Sequence, residues 1–74
     1  MNDEALVSSI RKFLKMVGVS SQREIEQAVA EALRKGAIAG TEAFPTRMTL
    51  EIAGLQLKAG FDGEIRLEER DAAP

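Results

Sequence analysis

The sequence predicts an α+β fold: a two-helix N-terminal hairpin packed on a small antiparallel sheet of two or three strands, in the order α-α-β-β-β. Three observations carry this. Apolar residues recur at helical spacing through the first half of the 74-residue chain. Gly18 and Gly36 stand where those two apolar runs end. After Pro45 the apolar period changes to two, the signature of a half-buried strand.

Helix one is expected over about residues 3–17. Leu6, Ile10, Phe13, Leu14 and Val17 form one stripe, with Glu4, Ser8, Arg11 and Lys15 opposite. Asp3 and Glu4 near its start and Lys15 near its end suit the helix dipole. Gly18 can take the left-handed conformation that ends a helix. Ser21-Gln22-Arg23-Glu24 then reads as a capping box opening helix two. Ile25, Ala28, Val29, Ala32 and Leu33 line its inner face, and Glu31 and Lys35 stand in the favourable order four apart. Gly36 is the stop. The short link Gly18-Val19-Ser20-Ser21 makes the helices neighbours in an αα-hairpin.

Residues 36–45 connect helix to sheet, with Ile38 and Phe44 as anchors. Met48, Leu50 and Ile52 alternate with Arg47, Thr49 and Glu51; Leu55 and Leu57 with Gln56 and Lys58; Ile65 and Leu67 with Glu64, Arg66 and Glu68. A tight turn at Ala53-Gly54 would set Leu50 against Leu57 and Ile52 against Leu55. A loop over Ala59–Gly63 would then set Leu57 against Ile65. A turn at Asp62-Gly63 mixes the two faces and is rejected. The rival arrangement is a wide hairpin of 46–52 with 62–68, leaving 54–60 as a loop. The pattern places one domain over residues 1–69 and a disordered tail over 70–74.

Composition narrows the function classes. The chain has no Cys and no His, which removes disulfides, zinc-finger chemistry and imidazole acid–base catalysis. Ser8, Ser9, Ser20 and Ser21 lack an activating base, and Lys12 and Lys15 are expected on an exposed helix face. Gly54, Gly60 and Gly63 match no phosphate-binding loop, and Asp62 with Glu64 falls short of a calcium site. The expectation is therefore a non-enzymatic protein, with no cofactor, metal or small-molecule ligand. No apolar run is long enough to cross a bilayer, and the acidic start Met1-Asn2-Asp3-Glu4 is no secretory signal. Membrane attachment is not expected, and the cytoplasm is the default location.

The net charge of −2 is unevenly spread. Residues 1–37 carry six cations and five anions; residues 38–74 carry four cations and seven anions. Between Ala5 and Arg23 stand four cations and no anion: Arg11, Lys12, Lys15 and Arg23. The Gly-Val-Ser corner between two helices looks like the helix-turn-helix of bacterial repressors, and those four residues would be its phosphate contacts. Three departures count against it. Leu14 fills a tight position usually held by Ala, Ile25 comes one residue late, and Glu24, Glu26 and Glu31 cancel the cations of helix two. A nucleic-acid module is the alternative reading. The leading one is a protein-interaction or assembly module, with a homodimer as the expected form, because so short a chain builds a thin core and an open sheet has unpaired edges.

Residues 4–68 resemble a small bacterial family of uncharacterised domains. The likeness is carried by Ile10-Arg11-Lys12-Phe13-Leu14, by residues 18–26 (Gly-Val-Ser-Ser-Gln-Arg-Glu-Ile-Glu), by Arg47-Met48-Thr49-Leu50 and by Gly63-Glu64-Ile65. It implies one compact domain and brings no activity, ligand or site.

Overall fold

A computed structural model describes residues 1–69, so the expected tail at 70–74 lies outside the described residues. The chain divides into two units, Met1–Ala37 and the segment from Ile38 onward. The first is one helix, α1, over Asp3–Arg34. The second is an antiparallel pair, β1 (Ala43–Ile52) and β2 (Leu57–Arg66), joined through a 3-10 turn at Ala53–Leu55. The α+β class holds in this coarse sense. The two-helix hairpin and the third strand do not form.

The helix is closed well at both ends. The Ala5 N–H donates to Asn2 Oδ1 at 3.0 Å, capping the first turn, and Asp3 and Glu4 follow where the dipole favours anions. At the other end Gly36, at φ +74°, turns left-handed. The Gly36 N–H reaches Leu33 O and the Ala37 N–H reaches Ala32 O, the paired closure of a Schellman motif. Gly36 is thus the stop that the sequence indicates, and Glu31 pairs with Lys35 at 3.5 Å as its spacing suggests.

Residues 18–21, expected as a corner, are helical instead. Gly18 keeps an ordinary helical backbone, and an interior glycine costs a helix only about 1 kcal/mol relative to alanine. Ser21 caps nothing. Its hydroxyl donates back to Val17 O at 2.6 Å, the i−4 bond by which serine satisfies itself inside a helix. Continuity is favoured because the two expected stripes are one stripe: Leu14, Val17, Ser21, Ile25 and Ala28 follow each other at steps of three and four.

The hairpin register pairs Phe44 with Ile65, Met48 with Phe61, Leu50 with Ala59 and Ile52 with Leu57. The expected partners of Leu50 and Ile52 were each two residues short, because the turn takes four residues rather than two. Gly54 has no positive φ; Gln56 takes the left-handed position at φ 52°, its N–H donating to Ala53 O. A two-residue shift preserves the face of every side chain, so the alternation read for residues 47–52 stands. The loop expected over Ala59–Gly63 is the middle of β2, which removes both the meander and the wide hairpin. Gly60 and Gly63 suggest turns, yet Ala59 and Phe61 alternate with Gly60 and Asp62 as in any strand.

Among the described residues none is buried. A lone helix and a two-stranded hairpin each form one layer, and one layer has no interior.

Substitution tests both backbone assignments. Around a Cβ on Gly18 there is open space, so Gly18→Ala should stabilise the protein by about 0.8–1 kcal/mol in urea unfolding. A left-handed corner at Gly18 would instead make that variant less stable. Gln56→Gly should raise stability by about 1 kcal/mol through relief of the left-handed residue, read in the same assay.

Candidate interaction surface

Two apolar faces dominate the molecule. On α1 the stripe runs from Leu6 through Ile10, Phe13, Val17, Ile25 and Ala32, with Phe13 49% exposed and Leu14 56% exposed. On the hairpin, the strand alternation puts Phe44, Met48, Leu50, Ile52, Leu57, Phe61 and Ile65 on a single face. Phe61 is 59% exposed and is the one large member that sequence reading missed, since its neighbours Gly60 and Gly63 disguise the strand. Leu55, expected on that face, sits in the turn and is 71% exposed.

The opposite face of the hairpin is polar. Arg47 Nη1 bonds Asp62 directly across the strands at 2.8 and 3.0 Å. The same guanidinium lies over Gly60, so a Cβ there would strike it. Glu64 and Arg66 pair along β2 at 2.8 Å.

All four residues singled out as phosphate contacts lie on α1. At 100° per residue, Arg11, Lys15, Lys12 and Arg23 fall within an arc of about 120° on the side away from the apolar stripe. Among the described residues none of them makes an ion pair. The structure brings them together on one helix face and removes the corner that would have presented a recognition helix. Glu4 and Glu26 stand on the same side and interrupt the basic patch.

The most organised polar group is Glu42, in the link before β1. Its carboxylate accepts from the Ala39 N–H at 2.8 Å, the Gly40 N–H at 2.9 Å and the Thr41 N–H at 3.1 Å. Gly40, at φ +101°, turns the chain so that successive N–H groups converge. The bonds from Ala39 and then Gly40 hold the Glu42 carboxyl below its ordinary value, against a smaller opposing desolvation. A recess of about 180 Å³ beside it is lined by Thr41, Glu42, Ala43, Glu64, Arg66 and Glu68. Among the described residues no three His, Cys, Asp or Glu side chains converge to hold a metal ion, and no helix is long and apolar enough to cross a membrane.

The Glu42 nest has a definite pH signature. A carboxyl whose pKa is depressed by folding adds stability above its unfolded value, about 4.3, and loses it as pH falls through the lower folded value. A carbon-detected titration should therefore find the Glu42 midpoint below the ordinary glutamate value of about 4.3. The Ala39 and Gly40 amide shifts should move with that same midpoint, and Glu42→Gln should abolish their movement.

No curated protein and no solved structure matches the chain. A family model does, over residues 1–68. The region it covers takes in α1, both strands and the Glu42 nest, so the whole described architecture falls within it. The chain belongs to a family of unknown function (DUF6494).

Proposed function

We propose that this protein is a non-enzymatic assembly module that works by self-association. The observation that carries the reading is that none of the described residues is buried, although an apolar stripe runs the length of α1 and an apolar face covers the hairpin. Isolated helices and lone two-stranded hairpins are marginal in water. Each unit therefore needs a second layer. A second copy supplies matching surface to each unit, and two-fold dimers are the commonest oligomers.

Catalysis is outside this proposal because the chain offers neither thiol nor imidazole, and the Glu42 carboxylate is tied to backbone N–H groups. A cytoplasmic setting fits the absence of cysteine. The nucleic-acid reading rested on the Gly-Val-Ser corner, and a continuous helix leaves it without a recognition element.

Sedimentation at micromolar concentration should show a dimer or larger species, and the thermal midpoint should rise with protein concentration. A single species at monomer mass with a concentration-independent midpoint would overturn the proposal.

A further inference from the structure

We infer that α1 pairs with α1 of a second copy in antiparallel orientation, centred on Val19. The inference rests on the self-association reading and adds its geometry. Eight positions form a line along the inner arc of the helix, an arc that also holds Val7, Leu14, Glu24 and Glu31: Leu6, Ile10, Phe13, Val17, Ser21, Ile25, Ala28 and Ala32. Their steps are 4, 3, 4, 4, 4, 3 and 4 residues, the same read from either end. Turned end for end about Val19, the stripe therefore falls on itself.

Size decides between orientations. In this register Leu6 lies level with Ala32 of the other copy, Ile10 with Ala28, Phe13 with Ile25 and Val17 with Ser21. At three of these levels a large side chain of the first half meets a small one of the second; Phe13 meets Ile25 and Leu14 meets Glu24, so the separation varies less than in a parallel pair. A parallel pair would set Leu6, Ile10 and Phe13 against their own copies at one end. At the other it would set Ala28 and Ala32 against theirs, wedging the helices apart.

Charge decides the same way. Asp3 and Glu4 of one copy come level with Lys35 and Arg34 of the other, and Asp3 and Lys35 lie in line with the apolar stripe. Within one chain Arg34 and Lys35 share the single carboxylate of Glu31, so the pair has a cation to spare for the opposing first turn. Antiparallel dipoles also attract where parallel ones repel. Lys15 and Arg23 share a level too, but they sit about 130° or more round the helix from the stripe. At the centre, the Ser21 hydroxyl is already satisfied by Val17 O and can enter an apolar contact.

The chain has no cysteine, so Ser8→Cys and Ser20→Cys give single nitroxide sites on exposed positions of the full-length protein. Pulsed dipolar spectroscopy between copies reads the result. Antiparallel pairing about Val19 puts the two Ser8 positions about 33 Å apart along the axis and the two Ser20 positions about 3 Å apart. The expected outcome is a long distance at residue 8 and a short one at residue 20. Short distances at both sites in a dimer would overturn the antiparallel arrangement and leave self-association intact. Long distances at both would place the contact elsewhere than α1. A monomer in sedimentation, with no dipolar signal, would overturn the inference together with the reading beneath it.

Discussion

The uninterrupted hydrogen-bond ladder through residues 18–21 determines the character of this molecule. Were the chain to turn there, two short helices could cover one another and a small interior would result. Because it continues, both apolar runs merge into one stripe about seven turns long on a single helix. The serine that might have begun a second helix is absorbed into the ladder by its bond to Val17 O.

The hairpin obeys a comparable economy. Its four-residue turn fixes a register in which apolar side chains share one face, and the cross-strand Arg47–Asp62 pair fastens the other. That pair is exposed, and ion pairs of this kind contribute roughly 0–1 kcal/mol. Its guanidinium lies over Gly60, inside the strand. At the entrance to β1, Glu42 collects three backbone donors that a loop would otherwise leave to water. One side chain thus orders the link from Ala39 to the first strand.

Legibility in the sequence followed the range of the forces involved. Periodicity is local, so the stripe of α1, the stop at Gly36 and the in-out alternation of residues 47–52 could all be read directly. Glycine is ambiguous, and each departure of the structure from the sequence reading involves one. Gly18 is a tolerated helix residue, Gly54 yields its left-handed role to Gln56, and Gly60 and Gly63 lie within a strand. Resolving those roles takes nonlocal facts: that the stripes on either side of Gly18 are in phase, and that Arg47 comes to rest above Gly60. The four cations of α1 were legible as a cluster but not as a surface, because a corner and a rod present them differently. Glu42 carried no signal at all beyond a carboxylate two residues after Gly40.

The stripe has a further consequence for shape at larger scale. Its seven steps cover 26 residues, about 3.7 per turn, slightly more than the 3.6 of an α-helix. A repeat shorter than 3.6 winds helices left-handed, as in heptad coiled coils, whereas a longer one winds them right-handed. Two rods joined along this stripe would twist gently in the right-handed sense. Extending α1 with ordinary heptads would therefore break the line of the stripe, whereas eleven-residue insertions would prolong it.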